Sequence, residues 1–182
     1  MTCAGRGYVV HEGCDHLLFV GFLGVGKSTL ARNLAAMVGR AYVDTDRLVE
    51  LMLRKSVREV FEQDGEAAFR RGERRVLERL KRRKSLLVSC GGGTVEDEEC
   101  RRLMGELGTV VYLDGSLDDS LRQIRNLKRR PDFSTPGEAA ALYERRRPLY
   151  ESVADVVIDI RGKSFDEVAS EAGQLLWDRG LL

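Results

Sequence analysis

The stretch Gly21-Phe22-Leu23-Gly24-Val25-Gly26-Lys27-Ser28-Thr29 has the residue types and spacing that most directly specify chemistry in this 182-residue chain. It reads G-x-x-x-x-G-K-S, a phosphate-binding loop. Glycines at 21, 24 and 26 admit positive φ and let a ligand approach the backbone with no Cβ in the way. Successive N–H groups can then converge on phosphate oxygens, and a helix starting near Lys27 adds the positive end of its dipole. Lys27 would reach the β- and γ-phosphates, and the Ser28 hydroxyl would bind Mg²⁺. A glycine-rich turn of no function could match the same pattern. The flanks argue against that, because apolar His16–Val20 ends at Gly21 like a buried strand, and Leu30, Leu34, Ala35 and Val38 follow at helical spacing before Gly39.

Other groups could act on a second substrate. Asp44-Thr45-Asp46 follows a short apolar stretch, where carboxylates would stand near the carboxyl end of a sheet. The same pair could equally cap the next helix. Arg70 and Glu73 lie at i and i+3 beside an apolar stripe of Phe69, Val76, Leu77 and Leu80. Gly91-Gly92-Gly93 after the third strand would expose several N–H donors, or be only a flexible turn. The basic, proline-punctuated loop over 128–137 is a candidate lid, or else a surface connection with solvated arginines. Arg145-Arg146-Arg147-Pro148-Leu149-Tyr150 stands near the end of a later helix.

The elements that must position these groups alternate in type. Strands are predicted at 16–20, 40–43, 85–89, 109–113 and 155–160, with helices between them. Ser56-x-x-Glu59, Ser116-x-x-Asp119, Thr135-Pro136-Gly137-Glu138 and Ser164-x-x-Glu167 read as helix starts, and Thr94-x-x-Asp97 as another. Such alternation predicts an α/β fold with a parallel sheet covered on both faces. Residues 16–182 are read as one domain, preceded by a polar extension over 1–15 with no signal-peptide pattern.

Composition narrows the function classes. The chain is 43% hydrophobic and 32% charged with net charge +1, so no global charge argues for a nucleic-acid or membrane partner. The basic run from Arg70 to Lys84 has no aromatic stacking platform beside it and reads as solvated surface. The longest apolar stretch, Leu17 to Val25, is glycine-broken and well short of the ~20 residues a membrane helix needs. Cys3, Cys14, Cys90 and Cys100 contain no C-x-x-C pair, and Cys3, His11, Cys14 and His16 fit no standard metal spacing. Free thiols suit a reducing cytoplasm.

Taken in order, the P-loop, Asp44-Thr45-Asp46, Gly65-Glu66-x-x-Phe69-Arg70-x-x-Glu73, Gly91-Gly92-Gly93, Arg130-Pro131 and Arg146-Arg147-Pro148-Leu149-Tyr150 resemble the shikimate kinase family, within the nucleoside-monophosphate-kinase-like P-loop group. The match runs from about residue 16 to the C-terminus. It implies a three-layer P-loop kinase fold with a five-stranded parallel sheet in order 2-3-1-4-5. It implies ATP- and Mg²⁺-dependent phosphorylation of the 3-hydroxyl of shikimate, a step of aromatic amino acid biosynthesis, by a cytoplasmic monomer.

By the same resemblance, Gly24, Val25, Gly26, Lys27, Ser28, Thr29 and Arg130 would hold ATP, with Lys163 and Arg125 near the adenine. Asp46 would bind the shikimate hydroxyls, including the one attacked. Arg70 and Arg146 would hold the carboxylate, with Glu73 orienting Arg70. Gly91, Gly92 and Gly93 would line the ring's site. Ser28 and Asp44 would serve Mg²⁺, Lys27, Asp46 and Arg130 would be the catalytic set, and 45–81 would be the substrate-binding region. The sequence departs from the family in Asp132-Phe133 where the lid usually has two leucines, in a slightly short spacing from Arg125 to Arg130, and in Cys90 where threonine is common. A gluconate or nucleotide kinase would need similar parts. The triple glycine with Arg146-x-Pro-x-Tyr favours shikimate. A P-loop ATPase acting on a macromolecule has only the basic helix in its support.

Overall fold

β1 (His16–Val20) is buried along its whole length, because the sheet runs past it on both sides and helices cover the sheet. The computed structural model describes residues 15–123 and 135–182. β2 (Tyr42–Asp44), β3 (Leu87–Ser89), β4 (Gly108–Asp114) and β5 (Val156–Asp159) complete an all-parallel sheet in the order β2-β3-β1-β4-β5, as expected. Leu18 pairs with Val88 on one side and Val110 on the other. The connection out of β1 runs over to β2 on one side and that out of β3 crosses back to β4 on the other, which puts the topological switch point between the carboxyl ends of β1 and β3. β5 alternates buried and exposed residues, as an edge strand covered on one face should.

α1 (Lys27–Val38) starts inside the phosphate loop and ends at Gly39, whose φ of 68° closes the helix in the left-handed region. It packs on β1, β2 and β3 and touches α8 (Phe165–Asp178). α2 (Thr45–Leu53), α3 (Val57–Gln63) and α4 (Glu66–Leu80) build a smaller apolar cluster around Val49, Val60, Phe69 and Val76. A Cβ on Gly72 would come within 2.9 Å of Val49 Cγ1, so this glycine sets how closely α4 approaches α2. α5 (Glu98–Leu107), α6 (Leu117–Gln123) and α7 (Pro136–Val153) complete the described chain.

His16 ties the two ends of β1's surroundings together. It is fully buried, its Nε2 lies 3.1 Å from Leu80 O, and its Nδ1 accepts from Leu86 N at 3.1 Å. Burial lowers its pKa, so the neutral ring with Nε2–H donating is the form that fits. The capping boxes at Ser56, Thr135 and Ser164 all form. One expectation needs correction. Thr94 does not start a helix: Thr94–Glu96 is a single 3-10 turn, and Asp97 caps α5 by accepting from Cys100 N at 3.0 Å. The Arg145–Tyr150 run stands near the end of α7, as expected, and the helix continues through Pro148 to Val153. Proline there removes one N–H, but buried Tyr143, Arg146 and Tyr150 on the same helix hold the turns on both sides in place.

Candidate active site

The nucleotide half is made mostly of backbone. Gly21, Gly24 and Gly26 take φ of 144°, 83° and 90°, values that a side chain would make costly. At Gly21 a Cβ would also meet Leu113 O at 2.8 Å. Lys27 lies back across the loop and donates to Gly21 O at 2.8 Å and Phe22 O at 2.9 Å. Burial lowers its pKa to about 8, against the opposing pull of Asp46, Cys90 and Asp44. Ser28 Oγ donates to Asp44 Oδ2 at 3.1 Å and lies 2.9 Å from Ser89 Oγ.

Asp44 takes the capping role with one oxygen and faces the phosphate loop with the other. Its Oδ1 accepts from Arg47 N at 3.2 Å as the N-cap of α2, while its Oδ2 serves Ser28 and the Tyr42 hydroxyl. Asp46 stands in the first turn of α2 and is not the cap. A cavity of about 490 Å³ runs from Gly24, Val25, Gly26 and Thr29 to Lys163. Its far wall includes Asp119, Arg122, Ile160 and Phe165, none of which the sequence reading assigned to a ligand.

The acceptor half is made of side chains brought from four elements. Arg70 on α4 donates from Nη1 to Glu73 Oε2 at 2.6 Å and from Nη2 to Glu66 Oε1 at 2.9 Å. Burial opposes its charge, but Glu73 and Glu66 outweigh that and raise its pKa. Glu73 is fully buried, and desolvation raises its pKa although Arg70 and the Thr94 hydroxyl both favour the carboxylate. Arg146, 1% exposed on α7, donates from Nη2 to Glu96 Oε2 at 2.8 Å. Arg70 Nη2 reaches the same oxygen at 3.1 Å. The two arginines therefore do converge, as their separate helices had to allow.

The triple glycine is needed for clearance. A Cβ on Gly91 would collide with Asp46 Oδ1 and stand 3.0 Å from Glu73 Oε1. On Gly92 it would press on Leu23 at 3.1 Å. On Gly93 it would collide with Arg70 Nη2 and stand 2.8 Å from Arg146 Nη2. Each glycine thus lies close beneath a different side chain, and a flexible turn is not what the geometry describes. Tyr150 OH donates to Gly92 O at 2.5 Å and its ring stacks on Tyr112 at 5.4 Å, fixing α7 to the glycine floor. A gap of about 30 Å³ beside Asp46, Arg70 and the glycines is walled by Val57, Phe61 and Phe69.

Sequence reading missed Glu96 altogether. It belongs to no helical i,i+4 pair with Arg70 or Arg146, and only its place three residues after Gly93 could have drawn attention to it. It also missed Thr94 as the hydroxyl partner of Glu73. Arg125, Arg130 and most of the 128–137 loop lie outside the described residues, as do Cys3, His11 and Cys14. Among the described residues no cluster of three His, Cys, Asp or Glu side chains is suited to a metal ion. A P-loop magnesium site does not require one, because a hydroxyl, phosphate oxygens and waters supply the ligands.

The chain matches the shikimate kinase family model over residues 23–177. It is 38% identical over 146 residues to the shikimate kinase of Bordetella avium, covering 79% of this chain and 70% of the relative. Its structure superposes on shikimate kinase from Acinetobacter baumannii, solved in complex with shikimate, with a TM-score of 0.85 at 30% identity, over 94% of this chain and 97% of that one. Against a gluconokinase from Sinorhizobium meliloti the TM-score is 0.54 at 18% identity, over 91% of this chain and 94% of that one, a likeness of fold alone.

Proposed function

The chain belongs to the shikimate kinase family, and from that premise we propose how its residues carry out the transfer of the ATP γ-phosphoryl group to the 3-hydroxyl of shikimate. The observation that carries the reading is the convergence of Arg70 and Arg146 on a single carboxylate oxygen above Gly93. Forked guanidinia suit a planar carboxylate, and shikimate has one carboxylate and a ring of hydroxyls. The neighbour from Acinetobacter baumannii was solved with shikimate, which supports the same acceptor here.

Gly24, Val25, Gly26, Lys27, Ser28 and Thr29 hold the phosphates of ATP, and Lys163 lies on the side of the cavity where the base fits. Lys27 leaves its two loop carbonyls for the phosphate oxygens and stabilises the charge that spreads there during transfer. Ser28 Oγ and Asp44 Oδ2 are hard oxygen donors 3.1 Å apart, a pair that fits Mg²⁺, with Asp44 acting through water. When bound, the ion supplies charge neutralisation between the phosphates.

Asp46 takes the hydroxyls of shikimate, orienting the one that attacks and accepting its proton. Arg70, steadied by Glu73, and Arg146 fix the far end of the ring, and Gly91, Gly92 and Gly93 let it lie close to the backbone. Such positioning is what phosphoryl transfer chiefly needs. Arg130 closes onto the phosphates with the lid, a role supported by the Arg130-Pro131 match. Residues 16–182 act as one catalytic domain. The protein works as a cytoplasmic monomer without nucleic-acid or membrane partners, in keeping with its net charge of +1.

The test is a coupled ADP-release assay with shikimate, gluconate and nucleoside monophosphates side by side. Turnover with shikimate alone is the expected result. Preference for gluconate or a nucleotide would replace the acceptor and leave the phosphate half of the reading standing.

A further inference from the structure

We propose that Glu96 is a built-in rival of the substrate: its carboxylate occupies the seat between Arg70 and Arg146 and must swing towards Arg145 before the substrate's carboxylate can bind. The proposal rests on the reading of Arg70 and Arg146 as the substrate's carboxylate holders.

The geometry is specific. Glu96 Oε2 accepts from Arg70 Nη2 at 3.1 Å and from Arg146 Nη2 at 2.8 Å, so one oxygen bridges both guanidinia. The backbone sets this up, because Glu96 N bonds to Gly93 O at 3.0 Å and folds the turn back over the glycine floor. Gly93 faces the same two guanidinia from below. A carboxylate bridging two arginines above a glycine is the arrangement the substrate itself would make.

Charge leads to the same place. Arg70 already has Glu66 and Glu73 as partners, and Glu96 adds a third carboxylate to the pair of arginines. A second anion entering with Glu96 in place would meet repulsion at close range. The gap left beside Asp46 and Arg70 is about 30 Å³, and the seat between Arg70 and Arg146 is filled by the Glu96 carboxylate. Something in this half must therefore move, and Glu96 has somewhere to go. Its Oε1 already accepts from Arg145 Nε at 3.0 Å and Nη2 at 2.5 Å, and the Arg145 side chain is 64% exposed at the rim. Rotation about the Glu96 side chain can trade the buried pair for Arg145 and water without moving the backbone turn.

If the seat is self-occupied about ten times out of eleven, apparent affinity for the substrate falls about tenfold, because only the open fraction binds. The test is calorimetric titration of wild type and Glu96→Gln with shikimate, with its methyl ester, and with ATP. Glu96→Gln is expected to bind shikimate about tenfold more tightly, with the ester also tighter and ATP unchanged. Shikimate binding that is unchanged or weaker would overturn the proposal and make Glu96 a mere brace for the arginines.

A second variant guards against a shifted arginine. Arg145→Gln removes the resting place, so it should weaken shikimate binding several-fold in wild type and have no effect in the Glu96→Gln background. An equal effect in both backgrounds would also overturn the proposal. A wild-type protein that binds gluconate and not shikimate would instead sink the choice of substrate. The same two variants titrated with gluconate then read the latch directly.

Discussion

The two halves of the site are built by different means. The phosphate half is backbone: Gly21, Gly24 and Gly26 in left-handed or extended positive φ, and a helix start, all within one short stretch. The acceptor half is side chains: Asp46 from α2, Arg70 and Glu73 from α4, Glu96 from the turn after β3, and Arg145 and Arg146 from α7. A backbone cradle has a fixed charge pattern and needs no counter-ions. A cluster of buried arginines does, and each guanidinium here has a carboxylate against it. The first half is therefore ready for an anion as folded, while the second must exchange one set of ionic partners for another. If that contrast is right, mutations in the first half should cost rate and spare stability. Those at the arginines and their carboxylate partners in the second should mix affinity with stability.

The largest effect is expected at Lys27. Lys27→Ala should lower kcat about 1,000-fold, at the upper range for loss of one group that stabilises transition-state charge. Its Tm should be unchanged or higher, because burial already disfavours the charged lysine. Thermal melts beside steady-state rates decide this, and a large loss of Tm would break the contrast at its clearest point.

Asp46 comes next. Asp46→Asn should lower kcat about 100-fold, the range for a proton-accepting or orienting carboxylate. Its Tm should stay near wild type, since Asp44 is the cap of α2. Asp44→Asn should instead raise the Mg²⁺ concentration needed for half-maximal rate. If the two asparagine variants lose only stability, neither carboxylate belongs to the chemistry.

Arg70→Ala sharpens the acceptor side. Loss of hydrogen bonds to a charged group, each worth about 1.5–3 kcal/mol, should weaken shikimate binding about 10- to 150-fold. ATP binding should not change. The variant also strips the main partner from fully buried Glu73, a loss of up to about 3–5 kcal/mol, so Tm should fall by several degrees. Calorimetry with each ligand and one melt separate the outcomes, and a variant with normal Tm and normal shikimate affinity would remove Arg70 from the site.

The smallest effect is a pH limb. Lys27 has a folded pKa lowered to about 8, so the free protein holds that proton below pH 8 and loses it above. Phosphates favour the charged form, so ATP binding takes the proton back up. kcat/KM for ATP should therefore fall above pH 8, approaching tenfold per unit, while kcat at saturating ATP holds to higher pH. The stability sign is separate: between about pH 8 and the unfolded value of 10.5 the unfolded chain binds the extra proton, so the cost of this group to the fold shrinks as pH rises. A flat kcat/KM up to pH 9.5 would mean that the buried lysine is not the group that meets ATP.

By the family resemblance the sequence implied the strand order, and by itself it determined the phosphate loop, the alternation of strands and helices, and the setting of Arg70 beside Glu73. Each of the last three depends on short-range patterns: glycines that the backbone demands, apolar runs of strand length, and a helix period that puts Arg70 beside Glu73. The reading of Asp44 as a helix cap was legible, and the structure gives one of its oxygens to that cap and the other to Ser28 and Tyr42. Tertiary structure alone decided that Glu96 joins Arg70 and Arg146, that each glycine of the triplet clears a different side chain, and that α7 runs through Pro148. Those partners stand 26 and 50 positions apart along the chain. No local period links such positions. They meet because the sheet orders its strands and the helices pack over it, and a buried charge then takes whatever opposite charge the fold has carried within reach.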